Sequence, residues 1–190
     1  MVRVSLYYIE RTLIRMSVID RRGSIRSEAV FNDDYTHRYI LRKEWDKEKK
    51  KAVVIMIQPN TNDPYELDLT TVRVINNLNR IGYGYVDIVN LYSLVAPKLS
   101  FKGNPDELVF EDINDGYIIR ACTKTECIIL AWGSIEETYK KVADRASELL
   151  EKLQPFEEKI YVLYDHSGKT SRHPLAPTVA SEWHLRKYKK

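Results

Sequence analysis

Four continuous apolar segments, each followed by a helical pattern, constrain the fold of this chain more than any other feature. The segments are residues 52–57, 85–89, 127–132 and 159–163. An unbroken apolar run is typical of a strand that is buried on both faces, and such strands alternate with helices in the βαβ units of a parallel sheet. The sequence therefore predicts an α/β protein of three layers, α/β/α, around a central, four-stranded, mainly parallel sheet.

Helical patterns occupy the stretches that follow these segments. The first helix is predicted to begin after Asp68, which can cap it, and to end at Gly82. Four apolar residues are predicted on its inner face: Val72, Ile75, Leu78 and Ile81. Further helices are predicted to begin near Asn114, to cover residues 135–153, and to run from about residue 177 towards residue 188.

The first 45 residues have a different pattern, because polar and apolar side chains alternate there. Residues 13–19 and the stretch ending at Phe31 flank a turn at residues 20–23, which indicates an antiparallel hairpin, and residues 38–42 form a further strand candidate. We expect one domain over residues 1–190, with residues 1–45 as a β extension of an α/β core over residues 52–190.

Composition limits the classes of protein that fit. No apolar run approaches the 18 or so residues of a membrane span, so we expect a cytoplasmic protein that does not enter a membrane. Cys122 and Cys127 match no zinc or thioredoxin spacing and are expected to be reduced and buried. A net charge of +3 neither demands nor excludes a polyanionic partner. Exposed hairpin edges make a homodimer plausible.

The loops that follow the four strands are the expected functional site. Right-handed crossovers bring the carboxyl ends of parallel strands to one edge of the sheet, where ligands bind in open α/β folds. The first loop is dense in hydrogen-bonding side chains and stiffened by prolines. Its candidate residues are Gln58, Pro59, Asn60, Asp63 and Tyr65, with Asp68 beyond them. Ordinary turn chemistry is the alternative explanation for this loop.

The other three loops each contribute a distinct chemical group. Asn90 presents a donor and an acceptor side by side, the pattern that reads the edge of a nucleobase, although a strand-end amide can also bond to loop backbone. Gly133 permits close approach of a ligand or of another backbone. His173 precedes a proline and can donate to a developing oxyanion or exchange a proton. The remaining candidates are Tyr92, Trp132 and Arg172, and Trp132 fits a buried core position as well.

Several common catalytic motifs are missing. The Gly168-Lys169-Thr170 triplet lacks the upstream glycine of a phosphate-binding loop, and no Gly-x-Ser-x-Gly elbow follows a strand. Metal ligands do not pair at helical or zinc-finger spacing. We therefore expect neither a metal nor a cofactor.

Several motifs, in order, resemble a family of short bacterial and phage proteins catalogued only as a domain of unknown function, DUF1643. They are Arg38-Tyr39-Ile40-Leu41-Arg42, Gln58-Pro59-Asn60-Thr61-Asn62-Asp63, Asp68-Leu69-Thr70, Gly82-Tyr83-Gly84, Asn90-Leu91, Trp132-Gly133 and Gly168 with Arg172-His173-Pro174-Leu175. The resemblance extends over about residues 30–178. Two residues depart from the family pattern, since Gln58 stands in place of Asn and Leu69 in place of Pro.

The order of the loops is also similar to that of the uracil-DNA glycosylase superfamily. That resemblance implies that Asp63 orients water, Asn90 reads a flipped base and His173 stabilises the departing base anion. Asn60 or Asp68 could take the place of Asp63, because Asp63 lies farther from its strand than the superfamily pattern requires.

Three hypotheses of function follow. The first is an enzyme that recognises a base of a nucleic acid or nucleotide and hydrolyses its N-glycosidic bond, with Tyr65, Tyr92 and Trp132 as stacking partners. The second is a non-catalytic module that binds a nucleotide or a modified base. The third is a nucleotide hydrolase whose metal ion would be held by carboxylates of Asp63, Glu66 and Asp68.

Overall fold

Seven strands and three α-helices make up the described part of the protein. The structure is a computed structural model that describes residues 20–61, 63–96, 112–134, 139–169 and 172–189. The strands are β1 (Arg26–Phe31), β2 (Arg38–Glu44), β3 (Lys50–Met56), β4 (Tyr83–Asn90), β5 (Cys127–Leu130), β6 (Ile160–Tyr164) and β7 (His184–Lys187). The helices are α1 (Leu69–Arg80), α2 (Asp112–Thr123) and α3 (Lys140–Lys152), and a 3₁₀ helix (Gln154–Lys159) follows α3.

All seven strands join one mixed sheet in the order β1-β2-β4-β3-β5-β6-β7. Strand β3 pairs in parallel with β4 and β5, and β5 pairs in parallel with β6. Strands β1, β2 and β7 add antiparallel pairings at the two sides. The α/β class predicted from the sequence is confirmed, whereas the sheet is mixed and larger than the four strands predicted.

Both ends of the described chain depart from the sequence-based expectation. Strand β1 forms its hairpin with β2, and residues 13–19 of the predicted hairpin lie outside the described residues. The predicted last helix is wrong, because β7 runs antiparallel to β6 in its place. Trp183 and Leu185, two positions apart, pack on the same cluster, which is the spacing of a strand.

Helix α1 begins where its capping residue predicts. The Asp68 carboxylate accepts a hydrogen bond from the Thr71 amide at 2.6 Å, and Gly82 follows the helix at φ +91°. The buried face is rotated from the predicted one. Ile75 and Leu78 are buried as predicted, together with Thr71 and Val74, whereas Ile81 is 37% exposed.

Two apolar clusters cover the two faces of the sheet. Val53 and Ile55 of β3 point into the cluster that contains α2 and α3. Ala52, Val54 and Met56 point into the cluster that contains α1 and the segment before β7. Successive side chains of β3 therefore pack into the clusters on opposite faces of the sheet, which explains why this segment is apolar without interruption. Cys122 and Cys127 are buried free thiols, one in each cluster.

A buried ion pair joins α2 to α3. The Arg145 guanidinium, 1% exposed, forms a bidentate bond to the Asp115 carboxylate, and Lys152 donates to the same carboxylate at 2.6 Å. Burial raises the pKa of Asp115, but the hydrogen bonds from Arg145 and Lys152 outweigh it and hold that pKa below its usual range. Arg145 also donates to the Leu91 carbonyl at 3.1 Å, so this pair ties both helices to the end of β4.

We expect Asp115→Ala to lower the free energy of unfolding by about 3–5 kcal/mol, since it leaves the buried Arg145 charge without its carboxylate. Urea denaturation followed by circular dichroism measures this change. Asp144→Ala is the control, because Asp144 lies at an exposed position of α3. It should change the free energy of unfolding by about 0.5 kcal/mol or less. A loss below about 1 kcal/mol for Asp115→Ala would contradict this role.

Candidate functional site

The carboxyl ends of the parallel strands form one edge of the sheet. Backbone bonds continue past the strand ends there, since the Tyr92 amide donates to the Ile57 carbonyl at 2.9 Å and the Ala131 amide to the Ile55 carbonyl at 2.8 Å. Strand β2, antiparallel to β4, begins at the same edge with Arg38. The four loops and the start of β2 therefore meet at a common rim.

The loop after β3 is fastened to the segment after β4. The Gln58 side chain donates to the Ala96 carbonyl at 2.7 Å, and the Ala96 amide donates to the Pro59 carbonyl at 3.1 Å. Gln58 and Pro59, predicted as substrate-binding residues, are thus engaged in holding two loops together.

A β-bulge at Tyr39 decides which side chain faces this loop. The register between β1 and β2 skips Tyr39, and a bulge of this kind reverses the alternation of side chains. Tyr39 stacks on Tyr117 of α2 with ring centroids 5.1 Å apart, and Ile40 packs on the same side. Arg38 consequently turns to the opposite face of the sheet, where Lys43 also lies and where the two cations repel each other.

Two buried cations hold the middle of the loop. Arg38 is 4% exposed and donates from Nη1 to the Thr61 carbonyl at 3.2 Å. Lys43 is 1% exposed and donates to the Pro64 carbonyl at 2.5 Å. Burial lowers the pKa of both groups, to about 10 for Arg38, while the Asp68 carboxylate acts in the opposite direction on each. The face therefore carries two buried positive charges, whose nearby opposite charges are the carboxylates of Asp63 and Asp68.

Asn90 ends β4 with its side chain sealed from solvent. It is 1% exposed, and its Nδ2 has no hydrogen-bond partner among the residues that the structure describes. Arg38 Nε is in the same situation. A buried donor without an acceptor costs free energy, so both groups are suited to a ligand that supplies carbonyl or anionic oxygen.

His173 is oriented by the turn in which it lies. Its Nδ1 accepts a hydrogen bond from the Leu175 amide at 3.1 Å, so the neutral ring carries its proton on Nε2 and can donate from there. Burial lowers the pKa of His173 and outweighs the opposing effect of Asp68, which keeps the ring neutral near pH 7.

Gly133 allows this histidine to lie close to the end of β5. Gly133 has φ +77°, and a Cβ at that position would come within 3.2 Å of the His173 Cβ. The sequence predicted close approach of a ligand or of another backbone at Gly133, and the structure places His173 of the loop after β6 there.

The three carboxylate and amide candidates of the first loop differ in their positions. Asn60 and Asp63 are exposed, and Asp63 Oδ1 accepts from the Tyr65 amide at 2.7 Å, closing its own turn. Asp68 caps α1, yet its charge acts on both Arg38 and His173. Of the three, Asp68 is the one that the structure associates with those two groups.

The aromatic candidates lie in contrasting environments. Tyr65 is 79% exposed, whereas Tyr92 and Trp132 are almost fully buried and belong to the cluster beneath α2 and α3. Trp132 therefore occupies the core position that its size made plausible. Among the described residues, the carboxylates of Asp63, Glu66 and Asp68 do not form a group able to hold a metal ion, and Glu66 accepts from the Thr61 hydroxyl at 2.7 Å.

Arg172 shapes the loop that carries His173. Its guanidinium pairs with the buried carboxylate of Asp165, which also accepts from the Ser167 hydroxyl at 2.5 Å and from the Lys169 amide at 3.1 Å. The Ser167 and Arg172 bonds hold the pKa of Asp165 well below its usual range. Asp165 is thus the centre of this loop.

Arg38, Lys43 and Asp165 are absent from the candidates chosen from the sequence, although Asp165 directly follows β6. Arg38 begins a strand and Lys43 lies within one, so neither falls in a loop after a parallel strand. The one sequence signal for Arg38 is that the first family motif begins with it.

The structure is that of an α/β protein with buried hydrogen-bond donors at the carboxyl edge of its sheet. Residues 38–175 match the family described as "Protein of unknown function (DUF1643)", and the chain belongs to that family. The match begins at Arg38 and ends at Leu175, both of which contribute to the rim. No curated protein and no solved structure matches the chain. Within the described ranges, no helix is long and apolar enough to cross a membrane.

The state of His173 can be measured directly. We expect its pKa to lie below that of a histidine in an unstructured peptide, and its neutral ring to carry the proton on Nε2. Nitrogen-15 NMR titration reports both properties, and His173→Gln identifies the signal by removing it. A pKa at or above the peptide value, or a proton on Nδ1 at neutral pH, would contradict the geometry.

Proposed function

We propose that this protein recognises a nucleobase of a nucleic acid or nucleotide and hydrolyses its N-glycosidic bond. The observation that carries the proposal is the buried, unpartnered amide of Asn90 at the same rim as the Nε2 donor of His173. Asn90 ends β4, and His173 lies against Gly133 at the end of β5. Strands β4 and β5 are two places apart in the sheet, a separation of about 10 Å. This distance suits a site that holds one base.

Recognition of the base rests on Asn90. A base that presents a carbonyl oxygen, as uracil does, can accept from Asn90 Nδ2, which lacks another acceptor among the described residues. A base in a duplex must leave the stack to reach a recessed group. The site therefore favours an unpaired or extruded base that bears a carbonyl.

Departure of the base rests on His173 and Arg38. When the bond between C1′ and the base nitrogen breaks, the electron pair moves onto the base, which becomes an anion. A neutral imidazole with its proton on Nε2 already presents a hydrogen-bond donor, so it can stabilise the base anion as the charge develops. The buried Arg38 charge acts in the same direction, because burial strengthens electrostatic interactions.

A carboxylate must orient the attacking water, and we assign this task to Asp68. Its Oδ1 is held by the Thr71 amide, which leaves the second oxygen for a water molecule. The water adds its hydroxyl to C1′ and gives its proton to the carboxylate, which completes hydrolysis. Asp63 is the alternative base that the resemblance implies, but it is exposed and its Oδ1 closes a turn.

The test is an assay of base release from single-stranded and duplex DNA that carries uracil or another modified base. We expect abasic sites, detected by alkaline strand cleavage. Asn90→Ala and His173→Ala should lower the rate about 10²- to 10³-fold, since each removes a donor that acts on the developing charge. Asn76→Ala, an exposed amide on α1, is the matched control and should react like the wild type. Wild-type protein that releases no base from any substrate would overturn the catalytic proposal.

A second candidate function is a module that binds a nucleotide or modified base without reaction. Two observations favour it: Asp63 is exposed and Asp68 caps α1. Each carboxylate thus has a structural hydrogen bond to a backbone amide, and a binding module needs neither of them to activate water. In that case a panel of nucleosides and nucleotides should contain a ligand that raises Tm while no product forms. At a hundredfold excess over Kd, this ligand should add about 2.7 kcal/mol to the free energy of unfolding. Asn90→Ala should remove the shift. A ligand that still raises the Tm of Asn90→Ala by the full amount would place binding elsewhere.

A further inference from the structure

Three potential metal ligands lie together at one end of the antiparallel β6–β7 strand pair. They are His166, Glu182 and His184, and one ligand atom of each lies within 4.8 Å of the other two. The rings of His166 and His184 meet edge to face at 5.0 Å, and Glu182 Oε1 lies 3.9 Å from His184 Nε2. This cluster has no part in the proposed reaction.

The end of the β6–β7 strand pair and the turn after β6 bring these side chains together. Tyr164 of β6 pairs with His184 of β7 in antiparallel register. This is the last pair of the ladder, and His166 lies in the turn that follows β6, which the Gly168 amide closes by donating to the Asp165 carbonyl at 2.8 Å. Glu182 precedes His184 by two positions, so the end of the strand pair and this turn together bring the three side chains to one place.

One ring nitrogen of His184 is available to bind a metal ion. Its Nε2 is shielded from solvent and has no hydrogen-bond partner among the described residues, since the Glu182 oxygen is too far away for one. The guanidinium of Arg186, a nearby cation, has other partners. Arg186 lies over the Tyr164 ring at 4.3 Å and donates to the Gly168 carbonyl at 3.2 Å.

We propose that His166, Glu182 and His184 bind a divalent transition-metal ion, for which Zn²⁺ is the probe. Two imidazole nitrogens and one carboxylate oxygen are a common protein ligand set for zinc, with bonds of about 2.0–2.2 Å and a fourth position for water. Tetrahedral geometry at those lengths needs ligand atoms about 3.4 Å apart. His166 and Glu182 are exposed, so rotation of their side chains closes the difference.

The ion would fasten β7 to the turn after β6. The sequence predicts no metal site because Glu182 and His184 follow His166 by 16 and 18 positions, and no spacing motif covers two ligands that meet only through strand pairing.

The first experiment is titration calorimetry of Zn²⁺ into the full chain, with the same titration of Mg²⁺ for comparison. We expect one zinc equivalent to bind and magnesium not to bind, because Mg²⁺ prefers oxygen ligands. His166→Ala, Glu182→Gln and His184→Ala should each weaken zinc affinity at least about tenfold, as loss of one of three ligands would. His37→Gln, which removes a histidine from another part of the sheet, should leave it unchanged.

A second measurement needs no variant. One equivalent of zinc should shift or broaden two of the four histidine ring signals in the proton NMR spectrum of the wild type and leave the others in place. Absence of zinc binding, equal affinity in wild type and His184→Ala, or a response of fewer or more than two histidines would overturn the proposal. None of these results bears on base release, so the two proposals can fail independently.

Discussion

Two buried cations of one strand support the geometry of the rim. Arg38 and Lys43 donate to backbone carbonyls of the loop after β3, and this is possible only because the bulge at Tyr39 turns Arg38 towards the face of Lys43. Burying two like charges side by side costs free energy. The bonds to the loop and the charge of Asp68 offset that cost, so the loop, the helix cap and the charge of the site depend on one another.

The chemistry of the rim follows from this arrangement, because it concentrates hydrogen-bond donors. Asn90 and Arg38 each bury a nitrogen without an acceptor among the described residues, and His173 presents Nε2 because the Leu175 amide occupies Nδ1. The carboxylates nearby have structural bonds of their own. Such donors favour a ligand rich in oxygen, and this preference underlies both functions that we propose.

The accuracy of the sequence-based expectations depended on how local each signal was. The Asp68 cap and the Gly82 terminus are set by neighbouring residues, and both are where the pattern predicts. The last helix was wrong because residues 184–187 obtain their hydrogen bonds from β6, a partner that no local pattern reveals. Loop position correctly indicated that Asn90 and His173 belong to one edge, but it gave no indication of Arg38, which reaches that edge from an antiparallel strand.

The sequence by itself determined the α/β class, the family and the loops that follow the parallel strands, because apolar continuity, capping residues and linear motifs act over a few positions. Only the tertiary structure decided which side chains those loops present. The bulge that turns Arg38, the strand pairing that gathers His166, Glu182 and His184, and the burial of Trp132 all depend on residues far apart in the chain. Strand pairing and the packing of side chains on the two faces of the sheet select these arrangements, and both exist only when the strands are assembled.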